Sequence, residues 1–181
     1  MRIIAGEARG RVIEAPAGMH TRPTLDRVRE NIFNMLQQEV PGSSILDLFA
    51  GSGAMSLEAL SRGAADAVLV DSDRNAFETQ KKNIDRLCYS DRTIVMHCDW
   101  KKAVRKLKEE KKTFDLVFLD PPYSMTDLRE VFTALTDIIH SDSLVLLEYE
   151  SGKEIAITDR FSRQKDRSWG FCAVSIFRMR I

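Results

Sequence analysis

Four consecutive residues, Asp120-Pro121-Pro122-Tyr123, combine a carboxylate, two carbonyls without neighbouring N–H donors and an aromatic ring. Proline fixes its own φ and withholds an amide hydrogen, so this stretch presents acceptors where other sequences present a mixture. Such a site suits an exocyclic amine of guanine, adenine or cytosine. That nitrogen is a poor nucleophile because its lone pair is delocalised into the ring. The Asp120 carboxylate and the Pro121 carbonyl can each take one N–H, which turns the lone pair toward an electrophilic carbon such as a sulfonium methyl, and Asp120 can take or relay the released proton. Tyr123 would stack on the base, once that base has left its helix. A rigid turn after a buried strand accounts for the prolines but leaves Asp120 and Tyr123 without a role.

A second candidate is Asp47-Leu48-Phe49-Ala50-Gly51-Ser52-Gly53, placed where an apolar segment gives way to a helical one. Glycines at such a turn let backbone approach a bound nucleotide. No Gly-Lys-Ser/Thr follows, which argues against a phosphate loop, and Ser56 occupies the third glycine position of a dinucleotide fingerprint. Asp71 lies 20 residues after Gly51, where a carboxylate can accept both ribose hydroxyls. Asp99 can accept from an adenine amino group, with Trp100 beside it as an apolar surface, although helix capping serves equally for Asp73 and Asp99.

These residues need strands that end together. Thr24 can cap a helix carrying Leu25, Val28, Ile32, Met35 and Leu36, ended by Pro41-Gly42. Apolar runs at 45–49, 67–70, 93–96, 114–119 and 144–149 alternate with helical stretches at 54–62, 75–87, 100–110 and 128–139. Uniformly apolar strands separated by helices predict an α/β fold with a buried, mostly parallel sheet. After Gly152 the rhythm changes, and 155–161 and 171–179 are expected to pair as an antiparallel hairpin around Lys165-Asp166. Residues 2–5 and 10–14 predict a small N-terminal β-hairpin. One domain is expected over 1–181, with 1–20 as an appendage.

The chain has 181 residues and a formal net charge of zero, which speaks against a protein that coats nucleic acid through bulk charge. Yet Arg2, Arg9, Arg11, Arg22, Arg27 and Arg29 crowd the first 29 residues, against Glu7, Glu14 and Asp26. Such a patch is either a solvated face or a contact for RNA phosphate. Cys88, Cys98 and Cys172 show no paired spacing, so reduced core thiols are expected, with no metal site. No apolar run reaches the length of a membrane span and no signal peptide is evident, so a cytoplasmic protein is expected.

Taken in order, Asp47 to Gly53, Asp71, Asp99 and Asp120 to Tyr123 resemble the motifs of class I methyltransferases acting on base amino groups. The chain more closely resembles the RsmD family of 16S ribosomal RNA guanine-N2 methyltransferases. Arg2 to Gly6, Arg9-Gly10-Arg11, Arg22-Pro23-Thr24, Asp26 to Glu30, Asp47 to Ala54 and Leu57 to Arg62 carry that likeness. The resemblance implies a Rossmann-like, seven-stranded, mostly parallel sheet with an antiparallel last strand and an RNA-facing N-terminal hairpin. It implies S-adenosyl-L-methionine as cofactor, held by Asp47, Phe49, Gly51, Ser52, Gly53, Asp71, Ser72, Asp99 and Trp100, with Asp120, Pro121, Pro122 and Tyr123 at the base. The expected partner is 16S ribosomal RNA, within a small-subunit assembly particle, met by Arg2, Arg9, Arg11, Arg22, Arg27 and Arg29. A monomer is favoured, and the part played by Arg160, Arg163, Lys165 and Arg167 stays open. An amino methyltransferase for another RNA or DNA base, a non-catalytic RNA-binding module and a nicotinamide oxidoreductase are the competing readings.

Overall fold

A computed structural model describes residues 1–16 and 23–180, with the side chains of 23–25 left aside. Helix α1 (Pro23–Met35) is followed by β1 (Ser44–Asp47), α2 (Ala54–Ser61), β2 (Asp66–Asp71), α3 (Arg74–Leu87), β3 (Thr93–His97), α4 (Trp100–Glu109), β4 (Phe114–Leu119), α5 (Arg129–Leu135), β5 (Ile139–Glu150), β6 (Phe161–Trp169) and β7 (Cys172–Met179). The strands form one sheet in the order β3-β2-β1-β4-β5-β7-β6. β1 to β5 run parallel, and β7 runs antiparallel to both β5 and β6.

Side chains alternate across a strand, so the sheet carries two cores. Ile45, Leu69, Leu116 and Leu146 face α1, α2 and α3, while Leu46, Val68, Val117 and Leu147 face α4 and α5. The chain changes face after β3, and strand order reverses between β1 and β4. Open parallel sheets leave a crevice beyond the carboxyl ends of the strands at that reversal. Among the described residues no helix is long and apolar enough to cross a membrane.

Three sequence expectations are corrected here. The N-terminal segments do not form strands: a single antiparallel bridge joins Arg2 to Val12 around a turned segment. Nor do they stand apart, because Ile3 and Ile13 are buried in the core with α1 and α2. Glu58 of α2 accepts the backbone N–H groups of Ile4 (2.8 Å) and Ala5 (3.0 Å), and Ser61 Oγ accepts that of Ala8 (2.9 Å). The second correction concerns the C-terminal hairpin, which turns at Gly170-Phe171 rather than at Lys165-Asp166. β6 is an edge strand, mostly exposed, so its polar residues resemble a turn in sequence. The third concerns thiols: Cys172 is buried, whereas Cys88 is exposed at the left-handed C-cap of α3.

Candidate active site

The loop after β1 is built from backbone bonds that its glycines permit. Gly53 caps α2 with φ 80°, and its N–H reaches Ala50 O at 2.7 Å. Asp71 Oδ2 accepts the Gly51 N–H at 2.8 Å, while Gln80 and Asn83 of α3 donate to the carbonyls of Gly51 (2.9 Å) and Ser52 (3.0 Å). The two glycines have different jobs. A Cβ on Gly51 would meet nothing within 4 Å, so that position borders open space. A Cβ on Gly53 would lie 2.8 Å from Leu69 Cδ2, so that position borders packed side chains, and both glycines hold the positive φ (52° and 80°) that favours their type.

Beside this loop lies a cavity of about 160 Å³, lined in part by Asp47, Phe49, Gly51, Ser52, Asp120 and Glu148. Asp47 ends β1 buried, with Ser56 Oγ donating to it at 3.0 Å. Burial lifts its pKa to about 7, helped by the nearby Asp71 charge and opposed by the Ser56 bond. Asp120 follows β4 in the register position after Leu119, one strand away. Its carboxyl is open to solvent through the cavity yet walled by protein on most sides. Desolvation, then the charges of Glu148 and Asp47, raise its pKa well above the carboxylate range. Glu148 of β5 is itself raised by burial, despite a hydrogen bond with the Cys172 thiol.

Three carboxyls thus face one small space with few donors among them. Like charges this close favour the protonated forms unless a cation or proton donor joins them. Pro121 is buried, while Pro122 and Tyr123 are exposed at the rim. Tyr123 is 42% exposed, and partial burial followed by the Glu148 charge pushes its hydroxyl up to about 12. Lys153 Nζ donates to the Tyr123 carbonyl at 3.3 Å.

The remaining cofactor candidates lie outside the cavity lining. Asp71 Oδ1 accepts from Asp73 N (2.9 Å), so both of its oxygens hold backbone. Ser72 is exposed, and its carbonyl lies 3.2 Å from His97 Nε2, whose ring stacks on Phe77 at 5.1 Å. Asp99 caps α4, accepting from Lys102 N at 3.0 Å, and that bond holds its pKa down. Trp100 opens α4, half-buried against the core below α4 and α5.

Among the arginines, Arg9, Arg11, Arg27 and Arg2 are exposed, and Arg22 lies outside the described residues. Arg2 and Arg11 already donate to the carbonyls of Gly10 and Arg86. Arg29 departs from the expectation of a phosphate contact: it is 5% exposed, donates to Arg2 O and Asp26, and lines the cavity. Its Nε has no hydrogen-bond partner and sits 3.8 Å from Glu58 Oε2. Helical spacing places position 29 beside Val28 and Ile32 on the core side of α1, which is why its charge turns inward. Sequence reasoning missed Glu148, Gln80 and Asn83. Glu148 had a signal, a charge inside the apolar run Leu144 to Tyr149; the two amides sit on the buried side of α3, where only the fold shows that they reach the glycine loop.

The sheet order, the antiparallel β7 and a glycine loop at the β1–β4 reversal define the fold of class I, S-adenosylmethionine-dependent methyltransferases. Residues 1–178 match the family described as Conserved hypothetical protein 95, and the chain belongs to it, the RsmD family that its motifs resemble. The chain is 38% identical over 152 residues to ribosomal RNA small subunit methyltransferase D of Escherichia coli K12, spanning 83% of this chain and 75% of that protein. It is 31% identical over 182 residues to the Haemophilus influenzae protein of the same name, spanning 98% and 93%. The solved structure of yhhF from Escherichia coli superposes with a TM-score of 0.82 at 33% identity, covering 99% of this chain and 97% of that one. A hypothetical protein from Thermus thermophilus gives 0.81 at 29%, covering 97% and 98%.

Proposed function

We propose that this protein transfers a methyl group from S-adenosylmethionine to the exocyclic N2 of a guanine in 16S ribosomal RNA, acting in the cytoplasm on a small-subunit assembly particle. The observation that carries this reading is Asp120 at the carboxyl end of β4, in the wall of a cavity that the glycine loop also lines, with Pro121-Pro122-Tyr123 following it in the chain. The names of two relatives, ribosomal RNA small subunit methyltransferase D of Escherichia coli and of Haemophilus influenzae, supply the substrate class.

The residues fit the cofactor on three counts. Open space above Gly51 admits a ligand against the backbone. The crowded carboxyls Asp47, Asp120 and Glu148 favour a ligand carrying positive charge. Arg29, a buried cation among the residues that line the cavity, complements a ligand carboxylate. Gly51, Ser52, Asp47 and Phe49 would hold the amino-acid side, and Asp71, Ser72, Asp99 and Trp100 the nucleoside side. When bound, S-adenosylmethionine supplies an electrophilic methyl group on a sulfonium.

Asp120 accepts one hydrogen of the base amine, and the Pro121 carbonyl accepts the other. These bonds localise the nitrogen lone pair and orient it, and the elevated pKa of Asp120 makes it a competent acceptor for the departing proton. Tyr123 holds the base by stacking at the rim. The direct test incubates the protein with labelled S-adenosylmethionine and small subunits lacking the modification, then identifies the product nucleoside by mass spectrometry. N2-methylguanosine in 16S RNA is expected. Methylation of adenine or cytosine, or of another RNA, would overturn the guanine assignment, and no methylation beside intact RNA binding would favour a non-catalytic module.

A further inference from the structure

Phe171 is 81% exposed, far more than any other large apolar side chain among the described residues. Tight turns ordinarily take Gly, Pro, Asn, Asp or Ser, whose backbone freedom, fixed φ or local hydrogen bonds suit the turn, and Phe brings none of these. Here the turn is well held. Trp169 pairs with Cys172 across it, Gly170 makes it at φ 61°, and the Phe171 carbonyl accepts the Ser151 N–H at 2.8 Å. The backbone is pinned while the ring stands in water, an arrangement that presents an aromatic face.

The place of that ring gives it a use. β5 runs parallel to β4, so Glu150 and Asp120 end at the same edge of the sheet, and Cys172 pairs with Glu150. Two strand spacings separate β4 from β7, about 10 Å, and Phe171 lies three residues beyond the level of Asp120 along the strands, so the two stand roughly 14 Å apart along the backbone sheet. That separation suits a neighbour of the target base rather than the base itself. The segment 151–153 ties the rim together, since Ser151 binds Phe171 and Lys153 binds the carbonyl of Tyr123. Tyr123 and Phe171 are the aromatics among the exposed large apolar side chains. Lys165, Arg167 and Trp169 share one face of β6, so exposed cations, of which Lys165 also donates to the Met35 carbonyl at 3.2 Å, lead along the edge strand to the turn.

We infer that Phe171 is a second stacking surface of the active-site rim, which takes an unpaired nucleobase next to the methylated one, with Lys165 and Arg167 on the adjoining phosphates. This rests on the reading of the chain as an RNA methyltransferase. Stacking on an aromatic face suits any base, and the cations suit the backbone that follows it. A protein docking on the ring would not need the cationic edge.

The test measures binding of unmodified naked 16S RNA and of unmodified small subunits, and single-turnover methylation of both, for the full chain and its Phe171→Ala, Phe171→Leu and Phe171→Trp variants. Phe171→Ala is expected to raise the RNA Kd about tenfold. Phe171→Leu should not restore binding although it keeps apolar area, and Phe171→Trp should. Cofactor affinity and Tm should match wild type in all three. An unchanged Kd in Phe171→Ala, or full recovery with Phe171→Leu, would overturn the inference. A defect seen on assembled subunits but absent on naked RNA would also overturn it, and assign the ring to a protein contact. Failure of the wild-type protein to methylate any RNA would strike the proposed function, a result distinct from wild-type activity with an indifferent Phe171.

Discussion

The carboxylates at the ends of β2 and β3 and those at the ends of β1, β4 and β5 occupy comparable places and meet opposite conditions. Asp71 accepts two backbone N–H groups and Asp99 accepts one, so their charges are spent on the loop and on a helix start. Asp47, Asp120 and Glu148 crowd one cavity, have few donors, and are all pushed toward protonation. The first group holds the glycine loop and a helix start and is stable as it stands. The second is poised for a ligand, because only incoming charge or an incoming donor relieves it.

The largest effect expected from breaking this contrast is at Asp120. Asp120→Asn keeps one acceptor but loses the proton acceptor, and single-turnover methylation should fall on the order of a hundredfold or more while RNA and cofactor still bind. Near-normal turnover would remove Asp120 from the chemistry. Its pH dependence sharpens the point. A base must be ionised, so the rate should fall as pH drops through the raised pKa of Asp120. Glu148→Gln removes a neighbouring charge that raises that pKa, so the acidic limb should move to lower pH in a profile of kcat/KM. A shift to higher pH would contradict the assigned coupling.

Next is the stability of the free protein. The folded pKa of Asp47, about 7, exceeds its ordinary 3.8, so its stability contribution is complete below about pH 4 and is lost as pH rises through 7. Fully expressed, that loss is on the order of 4 kcal/mol. Asp47→Asn should therefore flatten the fall in Tm across this window. An unchanged fall would trace it to Asp120 and Glu148 instead, whose shifts have the same sign.

The acidic contrast was only half legible in the sequence. Strand ends could be read because apolar runs are bounded by charged residues and glycines, and the 114–119 strand appears with those bounds. Asp71 and Asp99 could be placed by spacing, but whether a carboxylate is satisfied depends on which amides the fold folds back onto it. Glu148 was missed because its importance comes from lying one strand from Asp120, a neighbourhood created by pairing of β4 with β5. Edge strand β6 was misread for the converse reason: with little to bury, it carries no apolar pattern.

A smaller effect is expected where carboxylates are already satisfied. Asp71→Ala should weaken cofactor binding by roughly 1 to 3 kcal/mol, since ribose acceptors and the anchor of the Gly51 N–H are lost together. Calorimetry checks this, and unchanged affinity would confine Asp71 to loop support. Asp99→Ala should cost less in affinity and lower Tm slightly through its lost cap.

The same division between satisfied and free charge applies to the arginines, and gives the smallest effect. Arg29 is bound on several sides, so Arg29→Ala should lower Tm and cofactor affinity while leaving the salt dependence of RNA binding as in wild type. Arg9 and Arg27 are exposed, with no side-chain partner among the described residues, so their forks are available to phosphate. Each phosphate contact contributes about 0.7 to 0.9 to the slope of log K against log salt concentration. The Arg9→Ala, Arg27→Ala double variant should therefore flatten that slope by about one to two, with Tm and cofactor affinity unchanged. Arg11→Ala should fall between the two, because its guanidinium already donates to the Arg86 carbonyl and binds phosphate only by sharing its donors. A wild-type slope in the double variant would make the N-terminal arginines a solvated face, and would leave the β6 edge as the cationic surface that meets RNA.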